Sequence, residues 1–175
     1  DQFKDAKYSA ERERSVGLGV MGFHSFLQKS RIPLESVMAK SWNKKIFKNI
    51  DAKVNQASKD LAEERGACPD AAEYGYQERF SNKTAIAPTA SISIICGGAS
   101  PGVEPIAANS YTHKTLSGSF NVKNRYLEEI LDSHGKNDDE TWSSITTNQG
   151  SVSHLDFLTD LELSLIHISE PTRPA

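Results

Sequence analysis

Apolar residues recur along this chain at helical spacing, and the clearest stripes lie in its first third. Val16, Val20, Phe23 and Leu27 follow one another at steps of four, three and four, which predicts an amphipathic helix from Ser9 to about Lys29 with Ser9 as its cap. Gly17, Gly19 and Gly22 fall inside that stripe. Each costs about 1 kcal/mol in a helix relative to Ala, so three together imply close backbone packing or an irregular start. After Pro33 the positions Met38, Trp42, Ile46, Ile50, Val54, Ala57 and Leu61 keep to steps of four and three until Gly66, predicting one helix over Leu34 to Arg65. At 1.5 Å per residue it runs about 45 Å, longer than a small independent domain needs, and its Lys-rich side reads as a solvated face.

The middle of the chain changes character. Cys68-Pro69-Asp70 reads as a turn and Ala71 to Gly75 as a short helical piece. Polar Ser81-Asn82-Lys83 then leads into the apolar run Thr84-Ala85-Ile86, a short strand, followed by Ala87-Pro88-Thr89-Ala90-Ser91-Ile92-Ser93-Ile94-Ile95. Small hydroxyl residues thus sit where a strand hands over to a helix. Pro88 fixes its own φ and lacks an N–H, Thr89 or Ser91 can cap, and the next backbone N–H groups have no intrahelical partner. That arrangement suits either a plain capped helix start or a phosphate held by backbone rather than by Lys or Arg.

Further on, Gly97 to Gly102 is a tight connection, and Val103-Glu104-Pro105 a short extended segment that sets Glu104 among apolar neighbours. A carboxylate there is either a buried structural group or a catalytic one. Asn109 to Val122 alternates loosely, with many Thr and Ser, as strands do. Asn124 caps a helix carrying Leu127, Ile130 and Leu131, closed by His134-Gly135, and Asp138-Asp139-Glu140 opens another that carries Trp142 and Ile145 to about Asn148.

Composition narrows the classes. The chain has 175 residues, 37% of them hydrophobic, and a formal net charge of −3, within the range of one soluble domain. A pI near 6.0 argues against a protein that coats nucleic acid and leaves free nucleotide open as a ligand. No run of about 18 apolar residues could span a bilayer, Asp1 to Ala6 do not resemble a signal peptide, and the expected location is cytoplasmic. Cys68 and Cys96 fit a reducing compartment and read as structural thiols. The five histidines show no ligand spacing, so no metal site is expected. Gly17, Gly19 and Gly22 also spell G-x-G-x-x-G. The polar Ala10 to Arg14 in front, and Ala39 to Trp42 where an acidic strand end belongs, exclude a dinucleotide site.

Six stretches carry a resemblance, in one order: Arg14 to Phe23, Ala87 to Ile95, Cys96 to Pro105, Thr112 to Phe120, Thr141 to Ile145 and Gly150 to Leu155. Together they resemble the large (alpha) subunit of ribonucleotide reductase, over nearly all of residues 1–160. The resemblance implies a helix-rich α/β fold, a partial segment of the family's ten-stranded α/β barrel spanning residues 1–162. It implies radical-based reduction of ribonucleoside diphosphates to 2′-deoxyribonucleotides for DNA synthesis. Pro88, Thr89, Ala90, Ser91 and Ile92, with Ser93 as a further member, correspond to the loop that holds the substrate diphosphate. The thiyl cysteine, the reducing cysteine pair and the allosteric ATP-binding regions belong upstream of this segment and the radical-relay tyrosines downstream. No catalytic residue, metal ligand or cofactor is therefore expected here, and the segment alone should be inactive.

For the whole enzyme the resemblance implies a radical from a metal-containing beta subunit, a dithiol reductant such as thioredoxin or glutaredoxin, and an alpha–alpha homodimer. The Thr112 to Phe120 stretch favours this class I arrangement over the alternative class II enzyme, which uses adenosylcobalamin. Residues 163–175, from Leu163-Ser164-Leu165-Ile166-His167 through Arg173, resemble a translated sequencing adapter and are expected to be non-native. A non-catalytic helical interaction domain built on the long helix is the competing reading.

Overall fold

The computed structural model describes residues 3–115 and 118–166. The chain forms two compact units, one from residues 1–20 with 41–88, the other from 21–40 with 89–175.

In the first unit α1 (Lys4–Glu13) stops at Arg14, whose φ of 49° cannot continue a helix. Residues beyond it run extended: Val16 N–H donates to Asn82 O at 3.0 Å, Leu18 N–H to Lys83 O at 3.1 Å, and Ala85 N–H returns to Leu18 O at 3.1 Å. Leu18 and Thr84 form a parallel bridge. The continuous helix expected from Ser9 to Lys29 is therefore not formed, and Ser9 donates to Glu13 inside α1 instead of capping. The glycines explain the change. A Cβ on Gly17 would lie 2.8 Å from Ala85 Cβ, and one on Gly19 2.8 Å from Ala85 O, so these positions exist to let two backbone segments touch. The strand expected at Thr84 to Ile86 reduces to that single bridge.

The long helix, α3 (Val37–Arg65), starts after Leu34 because Ser36 Oγ accepts the Ala39 N–H at 3.1 Å and caps it. From Ser41 onward it belongs to the first unit. Its fully buried Ser58 accepts the N–H groups of Arg79 and Phe80, at 3.1 and 3.3 Å. The expected Cys68 turn is the start of α4 (Pro69–Glu73), with proline in the first turn, where its missing N–H costs nothing. Ion pairs from Arg12 to Asp70 and Glu73 join α1 to α4.

The second unit holds α2 (Phe23–Lys29), α5 (Ala90–Ile95), a hairpin, and three further helices. The expected extended region becomes β1 (Ser110–Thr115) and β2 (Gly118–Lys123), antiparallel, with Ser110 opposite Lys123. Asn124 caps α6 (Arg125–Ser133) by accepting the Tyr126 N–H, and Asp138 caps α7 (Asp139–Thr147) by accepting that of Thr141. Both caps follow the sequence expectation. Leu127, Ile130 and Leu131 of α6 share one buried core with Trp142 and Ile145 of α7 and with Val152, Leu155 and Leu158 of the segment that follows. A last helix, α8 (Asp160–Ile166), adds Leu165 and Ile166 to this core and runs unbroken through Leu163, where the adapter-like stretch begins.

Polar groups are buried in the same unit. Asn109 Nδ2 donates to Gly150 O and Ile166 O at 3.1 and 3.2 Å, while its Oδ1 accepts Asn124 Nδ2 at 2.8 Å. Gln28 Nε2 donates to Leu165 O at 3.4 Å. The backbone of α8 is thus tied to α2, to the foot of the hairpin and to the α6 cap.

Candidate functional site

The fold divides the residues 88–93. Pro88 is exposed and closes the first unit, and Thr89 to Ser93 open the 89–175 part of the second. Thr89 lies at φ 49° and ψ 28°, a left-handed conformation that costs a β-branched residue about 1–2 kcal/mol. The expected cap from Thr89 or Ser91 does not form. Thr89 Oγ1 instead accepts the N–H of Gly102 at 2.7 Å, which holds the residue in place and links the start of α5 to the loop after it. The Thr89 carbonyl accepts the Ser93 N–H at 2.8 Å.

This geometry leaves the N–H groups of Ala90, Ser91 and Ile92 with no acceptor among the described residues. All three residues are exposed. Ser93 is buried, its Oγ donating to Ala90 O at 2.9 Å and its carbonyl accepting from Gly98 and Ala99, so its hydroxyl serves the turn itself. No Lys or Arg lies between Thr84 and Cys96. Within this segment the groups an anion could meet are therefore backbone N–H groups at the positive end of the helix dipole and the exposed hydroxyl of Ser91.

Two left-handed glycines, Gly97 and Gly98, at φ 81° and 71°, reverse the chain after α5. Arg125 donates to the Gly97 carbonyl. The loop then meets the first turn of α2. Gly22 N–H donates to Ser100 O at 2.9 Å, Ser100 N–H to Ser25 Oγ at 2.8 Å, and Ser25 N–H to Ser100 Oγ at 3.1 Å, both serines being buried. Next to them His24 Nδ1 accepts the Ile106 N–H at 3.0 Å. Burial pushes the His24 pKa down to about 4, so the imidazole is neutral with its proton on Nε2. That Nε2 is buried without a partner among the described residues. Sequence reasoning missed Ser25, His24 and Ser100; the one signal was a polar His-Ser pair inside an apolar stripe.

Glu104 departs from expectation. It is exposed, in a turn after Pro101, so neither the buried structural role nor the buried catalytic one has its premise. Cys68 is fully buried in the first unit and Cys96 exposed at the end of α5 in the second. No cluster of three or more His, Cys, Asp or Glu among the described residues could hold a metal ion. No helix among them is long and apolar enough to cross a membrane.

The family model of the ribonucleotide reductase barrel domain matches residues 1–79 and 70–167. The ribonucleoside-diphosphate reductase large subunit of Invertebrate iridescent virus 3 is 44% identical over 159 residues, covering 89% of this chain and 25% of the viral protein. That of Invertebrate iridescent virus 6 is 48% identical over 149 residues, 84% of this chain and 15% of the relative. Among solved structures, the class Id ribonucleotide reductase alpha subunit of Actinobacillus ureae superposes with a TM-score of 0.80 at 39% identity, over 92% of this chain and 29% of that one. The chain therefore spans a quarter or less of the length of the viral relatives.

Proposed function

Because the chain belongs to the ribonucleotide reductase barrel-domain family, we propose that it is part of a large (alpha) subunit that reduces ribonucleoside diphosphates, and that its share of the work is to hold the substrate diphosphate. The observation that carries this reading is the first turn of α5, where Ala90, Ser91 and Ile92 offer three backbone N–H groups without an acceptor among the described residues. Ser91 adds a hydroxyl, Thr89, which follows Pro88 in the chain, sets the entry of the turn, and Ser93 supports it from within. Reduction at the ribose leaves the diphosphate intact, so the loop contributes by orientation: it fixes the nucleotide so that the sugar carbon meets the reacting group.

The radical and the reducing electrons come from elsewhere in the assembly. For the whole enzyme we assign a class I arrangement, with a radical-generating beta subunit and a thioredoxin- or glutaredoxin-type dithiol reductant, in the cytoplasm and as an alpha homodimer. The Thr112 to Phe120 stretch supports that class. Cys68 and Cys96 are structural in this reading. Residues 163–175 are assigned to a translated adapter, and re-reading the source DNA past Leu161 tests that directly.

The test of the loop is Ser91→Glu in the full-length subunit. A carboxylate in the first turn of a helix favours the fold through the dipole but repels a bound diphosphate. The expected result is a rise of about tenfold or more in KM for the nucleoside diphosphate, with the thermal midpoint unchanged or higher. An unchanged KM overturns the reading.

A further inference from the structure

We propose that Ser25 and Ser100 are positioning residues for the bound diphosphate, acting through the loop that follows α5 rather than by touching the substrate; the inference rests on the reading of the α5 turn given above. Thr89 keeps its strained left-handed backbone because Gly102 N–H is bonded to its hydroxyl, so the orientation of the Ala90, Ser91 and Ile92 N–H groups depends on where Gly102 stands. Gly102 is two residues from Ser100, and Ser100 is fixed from three directions by α2. Its N–H, its Oγ and its carbonyl bond in turn to Ser25 Oγ, Ser25 N–H and Gly22 N–H.

Four residues beyond Gly102, Ile106 N–H is bonded to the buried His24 ring. The first turn of α2 therefore grips the loop at both ends of the stretch that locates Gly102. The choice of residues supports a role in positioning. Two small hydroxyl side chains exchange bonds with each other's backbone in a buried place, where apolar residues would pack at no cost in polar desolvation. An exchanged pair fixes distance and angle together, which a single apolar contact does not. Holding donors to the placement a diphosphate needs requires that kind of constraint.

The experiment uses the full-length subunit with its radical-generating partner and compares Ser25→Ala, Ser100→Ala, the double variant and Ser91→Glu. Readouts are KM and kcat for the nucleoside diphosphate, inhibition by inorganic pyrophosphate, and the thermal midpoint. Loss of one hydrogen bond's worth of orientation, about 1.4 kcal/mol, corresponds to a tenfold rise in KM for each alanine variant, matched by weaker pyrophosphate inhibition, with kcat changed less than about twofold. The double variant should cost little more than either single one, because the two bonds hold one clamp. Ser25→Thr, which keeps the hydroxyl, should restore KM, and it serves as the folding control if an alanine variant is too unstable to assay.

A lowered thermal midpoint with KM unchanged in both alanine variants, while Ser91→Glu raises KM, overturns the positioning role and leaves the loop reading intact. If Ser91→Glu also leaves KM unchanged, the loop reading fails and the positioning role with it.

Discussion

Asn109 offers the sharpest test of how the second unit is held together. It is fully buried, and its side chain makes three hydrogen bonds, to Gly150 O, to Ile166 O and from Asn124 Nδ2. Asn109→Ala removes all three. The backbone bonds survive: Asn109 N–H still reaches Gly150 O at 3.3 Å and Asn124 N–H still reaches Asn109 O at 2.8 Å. What the variant leaves behind is Ile166 O without its side-chain donor and Asn124 Nδ2 with only the 3.4 Å bond to Gln28 Oε1. At about 1 kcal/mol for each of the three net bonds, the expected loss is about 3 kcal/mol, and the orphaned partners make that a lower bound. Urea unfolding of the 175-residue chain measures it, with Trp142 fluorescence as the probe in a Trp42→Phe background, since Trp142 lies in the core of this unit and Trp42 in the other. With m of about 1.5 kcal/mol/M the midpoint should fall by about 2 M. Asn109→Asp sharpens the point, because it replaces the donor with an oxygen that faces two carbonyls. Its carboxyl pKa is then raised in the folded state, so the variant gains stability relative to wild type as pH falls toward 4 and loses it as pH rises. A midpoint shift in Asn109→Ala worth less than about 0.5 kcal/mol, or an Asn109→Asp deficit independent of pH, would refute the network.

Two other perturbations follow from single contacts. The folded-state pKa of His24, about 4 against 6.5 in the unfolded chain, means the unfolded state binds the extra proton between those values, so stability falls as pH drops from 6.5 to 4 by up to about 3 kcal/mol. His24→Asn, which cannot take up that proton, should flatten this part of the profile in acid unfolding; a slope equal to wild type would show that His24 is not the group. Gly19→Ala places a Cβ 2.8 Å from the Ala85 carbonyl, and the displaced backbone should cost about 1–3 kcal/mol in the first unit, read from Trp42 fluorescence. A neutral result would mean that residues 15–20 and 82–85 do not lie against each other in solution.

The last helix asks little of side-chain identity. α8 is anchored through the carbonyls of Leu165 and Ile166, which accept from Gln28 and Asn109 whatever side chains they carry, and its buried positions ask only for apolar residues of about the right size. Leu163, Leu165 and Ile166 meet that demand.

What the sequence determined by itself is whatever local chemistry settles. The α3 helix, though not its buried face, which centres on Ala39, Ser58 and Ala62, the Asn124 and Asp138 caps with the apolar faces behind them, and the Thr-rich alternation that became the hairpin were legible, because helix capping and periodicity act within a few residues. The family was legible too, from motifs that stand in a fixed order along the chain. Tertiary structure alone decided the rest. Residues 15–20 carry a helical stripe yet run extended, because Gly17 and Gly19 gain more from lying against Ala85 than a glycine-rich helix could return. Thr89 has the composition of a cap, yet its hydroxyl is drawn to Gly102, a partner whose position depends on Ser25 in a helix more than sixty residues earlier in the chain. Such long-range hydrogen bonds leave no periodic trace, so the clamp around the candidate site could be found only once the chain had folded.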